Sequence, residues 1–145
     1  MSYLPKLNES IILFESFCKK SQIDGKEIEA TIGDTAVKLK VASTQESQAK
    51  GFMNGEEPSN NTGIIFVYDS PKILNFWMKN VGFDLDIIFF DDNGDYISHE
   101  TMKKYNGEND SELPRYTCNK KARYAVELKS GWFKKYGSDN CKLSF

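Results

Sequence analysis

Histidine is almost missing from this sequence. The single one, His99, has no cysteine or serine motif beside it, which argues against a Ser–His–Asp or Cys–His mechanism. It is read as a structural or exposed histidine rather than a general base. Cysteine is sparse as well. Cys18, Cys118 and Cys141 are odd in number, widely spaced and without a Cys-x-x-Cys pair. That pattern indicates neither a disulfide framework nor a zinc site, and it suits reduced thiols in a cytosolic setting, although a Cys118–Cys141 bridge stays open. A Gly-rich phosphate loop, His-Glu-x-x-His and Gly-x-Ser-x-Gly are all absent. No apolar run approaches the length that spans a bilayer. Ile11 to Phe14 is too short for a signal peptide and is flanked by Glu9 and Glu15. An excess of either charge is lacking too: the formal net charge is -2, so there is no global electrostatic case for nucleic acid or an anionic membrane. The local basic runs at Lys120, Lys121 and Arg123 and at Lys134 and Lys135 read as solvated faces.

What is present is ordinary for one soluble globular domain: 145 residues, 39% hydrophobic and 28% charged. A chain of this size buries about two-thirds of its unfolded surface and needs no metal or disulfide to fold.

Its most apolar and aromatic stretch runs from Asn75 to Asp91 and holds Lys79, Asn80, Asp84 and Asp86. Charge buried without a partner costs several kcal/mol per ion. Those groups are therefore expected to pair with one another, reach water in a cleft, or serve a ligand.

Residues 1–22 read as an appended segment. Leu7, Ile11, Phe14 and Phe17 recur at helical spacing after a possible N-cap at Asn8. The segment is either a helix packed on the surface or a tether that docks a protein partner or larger assembly. Residues 23–145 form the domain.

Within it, Ile28, Ala30 and Ile32 and then Val37, Leu39 and Val41 alternate with polar residues around Gly33-Asp34, which predicts a β-hairpin over 22–42. Ser43 to Glu46 reads as a capping box before a helix that stops at Gly51. The polar stretch from Asn54 to Gly63 is a surface loop or a lid. Further strands are expected over 64–68, 75–79, 85–90, 96–100, 123–128 and 141–145, with Asp69-Ser70-Pro71 ending the first. Residues 101–119 are polar and irregular, and a short helix over 129–136 is stopped by Gly137. Seven or eight strands, mostly joined by hairpins, and two or three short helices predict an α+β fold with a largely antiparallel, curved or barrel-like sheet.

Three carboxylates stand out: Asp84, Asp86 and Glu127 lie in or beside apolar strands. The two-residue period puts Asp84, Asp86 and Ile88 on one face and Leu85, Ile87 and Phe89 on the other. The carboxylates are candidates for internal pairing with Lys79 or Arg123, for oxygen ligation of a cation, or for a raised pKa and acid chemistry. Phe76, Trp77, Phe89, Tyr124 and Trp132 suit core packing or stacking on a sugar or base.

Several blocks then resemble one known family. Gly51-Phe52-Met53, Gly63 to Val67, Phe76-Trp77-Met78-Lys79-Asn80, Leu85 to Phe89, Arg123 to Leu128 and Gly131-Trp132 are similar in order and spacing to the DUF192 (UPF0127) family, over residues 42 to 145. The resemblance implies a compact β-rich α+β domain on a curved, barrel-like sheet, and it implies no function. The family's recurring polar positions correspond to Lys79, Asn80, Asp86 and Glu127, with Trp77 and Met78 beside them. The chain departs from the family pattern at Asn54-Gly55, where an Arg is usual, and at Val81, Asp84 and Asp139-Asn140. Separately, Leu13-Phe14-Glu15 resembles the Leu-x-Glu sites of phage prohead proteases.

The expectation is thus a small non-catalytic binding or structural module, cytoplasmic or carried in a phage virion, without metal or cofactor. The alternative is a ligand-binding protein or enzyme, with carbohydrate as a candidate substrate class and a site built from Trp77, Lys79, Asn80, Asp86 and Glu127.

Overall fold

The computed structural model describes residues 20–107 and 109–145. Residues 1–19 of the expected N-terminal tether, Cys18 among them, therefore lie outside the described residues, and its last three, 20–22, are helical. A single helical turn, α1 (Lys20–Ile23), delivers Ile23 into the core, where it is buried. The first hairpin follows as expected, with β1 (Glu27–Ile32) antiparallel to β2 (Thr35–Ala42). Its register pairs Ile32 with Thr35, which leaves only Gly33 and Asp34 in the turn, and Gly33 takes the positive φ of 60° that such a turn favours. Strict alternation buries Ala30, Ile32, Val37, Leu39 and Val41 on one face.

The chain then crosses over through α2 (Gln45–Lys50). Its N-cap is Thr44, and its capping box closes on Ser47 rather than on Glu46. The box sits one residue later than the sequence suggests because Ser43 is already committed: its N–H donates to the Asp24 carboxylate at 2.8 Å, which also accepts from the Ser47 hydroxyl at 2.6 Å. The crossover lets β3 (Thr62–Lys72) lie parallel to β2, the one parallel pairing in the main sheet. β3 runs past Asp69-Ser70-Pro71, which was expected to end it, by absorbing an irregularity between Val67 and Lys72.

β4 is only Asn75–Phe76. It leaves the main sheet and pairs with β7 (Tyr116–Thr117), which lies in the stretch read as irregular. Between them come β5 (Leu85–Phe90), β6 (Tyr96–Met102) and a 3-10 turn at Asp110–Glu112. The chain ends with β8 (Ala122–Lys129), α3 (Trp132–Tyr136) and β9 (Leu143–Ser144).

The main sheet has seven strands in the order β6-β5-β8-β3-β2-β1-β9. It curls until its two edges meet at one corner. Asp95 bridges Lys142, and the Leu143 N–H donates to the Gly94 carbonyl at 2.9 Å. The result is a half-barrel of mostly antiparallel strands, as expected from the hairpin pattern. Two apolar clusters form, one on each face. The inner one is closed by Trp132 and Phe133 of α3. The outer one is covered by the β4 segment, with Leu74, Phe76, Met78 and Val81 packed on Phe66, Ile87 and Phe89. Covering both faces explains why every residue of β5 is buried, and why its sequence reads as a continuous apolar run. Cys118 belongs to the outer cluster and Cys141 to the inner one, and both thiols are free, so no bridge joins them. No described helix is long and apolar enough to cross a membrane.

Candidate functional site

The site begins with an acid in an apolar row. On β8, Tyr124, Val126 and Leu128 face the inner cluster, so Ala125 and Glu127 face the outer one. The register sets Glu127 between Ile64 of β3 and Ile87 of β5, both apolar members of that outer cluster. Glu127 is 4% exposed. No described residue gives it a hydrogen bond or an ion pair, and burial alone pushes its carboxyl from the ordinary 4.5 up to about 8. It is therefore a neutral carboxylic acid at neutral pH, able both to donate and to accept.

The end of α2 packs against Glu127. Gly51 caps that helix with φ 47° and lies directly over the acid: a Cβ there would stand 3.6 Å from Glu127 Oε1 and 3.4 Å from the Phe66 ring. A cleft of about 270 Å³ opens at this point, with Glu127 and Phe66 in its floor. One wall is α2 and the turn Gly51–Met53, tied to the sheet by the Gln48 amide, which donates to the Ala42 and Val67 carbonyls at 3.2 and 2.8 Å. The other wall is β4 and the residues after it, Trp77, Met78 and Lys79, seated by Phe76, whose ring meets Phe66 edge-on at 5.0 Å. Tyr68 completes the lining, and its phenol is driven upward first by burial and then by the charge of Glu127. Gln45 and Asn75 add neutral amides.

The mouth is cationic. Lys50, Lys79 and Arg115 all line it. Lys79 Nζ contacts Asp110 Oδ2 at 2.6 Å and lies 5.4 Å from the centroid of the half-buried Trp77 ring. Arg115 packs its guanidinium on the same ring at 4.2 Å.

The structure thus brings together Trp77, Lys79 and Glu127 of the residues singled out in the sequence. It does not bring Asp86 or Asn80 with them. Asp86 sits on the other face of the sheet, because Glu127 is paired with Ile87, and the residue before Ile87 points the opposite way. There Asp86 is 2% exposed and fully engaged, accepting from Thr101 Oγ1 at 3.0 Å, the Gly131 N–H at 3.1 Å and the Phe133 N–H at 2.9 Å. Asn80 is exposed in a turn with φ 57°, and its carbonyl accepts from the Asn54 N–H at 2.9 Å. Asp84 accepts from the Lys104 N–H at 2.8 Å, which together with Lys103 holds its carboxyl below the usual range. The loop from 54 to 61 lies beside the cleft and does not line it.

His99 lies away from the cleft, stacked on Phe133 at 3.5 Å, with its Nδ1 2.7 Å from the Tyr96 hydroxyl. Among the described residues no group of three or more His, Cys, Asp or Glu is placed to hold a metal ion.

Sequence reasoning missed Arg115, Gln45, Gln48 and Tyr68. For Arg115 the signal was tertiary. β4 pairs Phe76 with Tyr116, so one step further along the antiparallel register sets Trp77 opposite Arg115.

Comparison with known proteins matches this fold. The family profile of DUF192, described as an uncharacterised ACR, matches residues 28–141. Among solved structures, a candidate transcription regulator from Sinorhizobium meliloti 1021 superposes with a TM-score of 0.75 at 17% identity, covering 84% of this chain and 95% of that one. A protein of unknown function from Novosphingobium aromaticivorans DSM 12444 superposes with a TM-score of 0.71 at 22% identity, covering 82% of this chain and 85% of that one. No curated protein matches the chain.

Proposed function

The chain belongs to the DUF192 family, which is described only as uncharacterised, and we propose from its own cleft that it is a non-catalytic module binding a small polyhydroxy ligand of the saccharide type. The observation that carries this reading is Glu127. A buried polar group with no partner costs about 1–3 kcal/mol. A fold that spends a β-strand position on such a group, beneath a glycine and inside a cleft, is suited to a partner that arrives from outside. The neutral acid donates one hydrogen bond and accepts another, which matches a hydroxyl. The amides of Gln45 and Asn75 and the apolar floor of Phe66 and Phe76 suit the same mixed polar and apolar ligand.

The test is a titration calorimetry series with mono- and disaccharides, neutral and acidic, on the wild type, Glu127→Gln and Glu127→Leu. Gln keeps a neutral donor and acceptor, so its affinity should stay within a few-fold of wild type. Leu keeps the volume and removes the polar group, and should weaken binding about tenfold or more. Equal affinity in the Leu variant would remove Glu127 from the ligand contact and end this reading.

A further inference from the structure

We infer that the cleft selects an acidic member of that ligand class, a polyhydroxy molecule bearing a carboxylate or phosphate, with the anionic group held at the mouth by Arg115. This rests on the reading of Glu127 as the ligand-facing floor and adds the identity of the ligand's charged end.

The charge of the lining is lopsided. Lys50, Lys79 and Arg115 face the cleft, and Glu127 is the acid among them. Lys79 is already engaged by Asp110 at 2.6 Å. Arg115 has no carboxylate partner among the described residues. Its guanidinium is held by the Trp77 ring, at 4.2 Å from the centroid. Stacking of this kind orients the plane and leaves the N–H edges available, since the ring takes up the face and none of the five donors. A planar fork fixed in that way fits two oxygens of a carboxylate or phosphate. The β4–β7 pairing ends with Phe76 against Tyr116, which sets the flanking residues Trp77 and Arg115 opposite each other. The mouth thus brings together two residues flanking strands distant in sequence, and their stacking holds one guanidinium in place. Floor and mouth together specify a hydroxyl at one end of the ligand and an anion at the other.

The experiment is calorimetry at low ionic strength and neutral pH on the full chain, with glucose, glucuronate and glucose 6-phosphate as probes, comparing wild type with Arg115→Gln and Arg115→Lys. Arg115 is exposed, so these variants are expected to fold. The inference expects at least one acidic probe to bind ten or more times tighter than glucose. It expects that preference to fall to within about threefold in Arg115→Gln, and to be recovered only in part by Lys, which keeps the charge and loses the fork. The better of the two acidic probes identifies carboxylate or phosphate as the source. Glucose binding as tightly as both acidic probes would overturn this inference and leave the Glu127 reading standing. A preference that survives in Arg115→Gln would overturn the role of Arg115. Absence of binding by all three probes would overturn this inference and count against the Glu127 reading together.

Discussion

A single acid shows how the environment of one residue sets a property of the whole chain. Glu127 releases its proton near 4.5 when unfolded and near 8 when folded. Between those values the native state holds more protons than the unfolded one, so stability falls as pH rises through that window and levels off above it. Across the full window the loss is on the order of 4–5 kcal/mol, from about 1.4 kcal/mol per pH unit of displacement. Gln cannot ionise, so Glu127→Gln removes this contribution and leaves the other titrating groups in place. Urea unfolding at pH 5, 6.5 and 8 should therefore show the stability of wild type relative to the variant dropping by several kcal/mol from the lowest to the highest pH. Parallel pH profiles for the two proteins would mean that the carboxyl does not titrate in this range in the folded state.

At the scale of elements, α3 is the clearest case of a segment held by a distant residue. It has five residues, and its N-cap, Gly131, has φ 94° and no capping side chain. So short a helix does not stand alone, because the first turn fixes several dihedrals for one hydrogen bond. Asp86 supplies the missing cap from β5 by accepting from both Gly131 and Phe133. Asp86→Ala leaves the buried Phe133 N–H and the more exposed Gly131 N–H without this partner and should cost about 2–3 kcal/mol in urea unfolding. It should also raise amide exchange across α3, with saccharide affinity at the cleft unchanged. Affinity lost in a variant that remains folded would place Asp86 back among the ligand residues.

The same pair of residues marks what the sequence could and could not disclose. Alternation alone gave the hairpin of β1 and β2 and the buried faces of β5 and β8, and it also drew attention to Asp86 and Glu127. Their separation onto opposite faces required the register, in which Glu127 meets Ile87 and Asp86 meets Leu128. Register between strands some forty residues apart has no local signature. Nor has the parallel pairing of β2 with β3, or the short ribbon of β4 and β7 that carries Trp77 and Arg115.

For the molecule as a whole, the sheet separates a core that holds the fold from a face that holds the cleft. The inner cluster closes where β9 meets the start of β6, with the Lys142 ammonium 3.3 Å from Asp95 and Leu143 fully buried against the barrel interior. The outer cluster, with Phe66, Phe76 and Met78, forms the bed of the cleft. A cavity made in the first should reach the second only through global unfolding, because no side chain of β9 lines the cleft and distant sites contribute additively. Leu143→Ala is the direct probe. It removes a buried side chain at the corner where the two sheet edges join, and should lower unfolding free energy by about 2–5 kcal/mol. At a temperature where the variant remains folded, its affinity for whichever saccharide the wild type binds should match wild type within about twofold, since a difference of 1.4 kcal/mol would already appear as tenfold. A matching loss of affinity and stability would show instead that the two faces move as one unit, and that the curl of the sheet itself shapes the cleft.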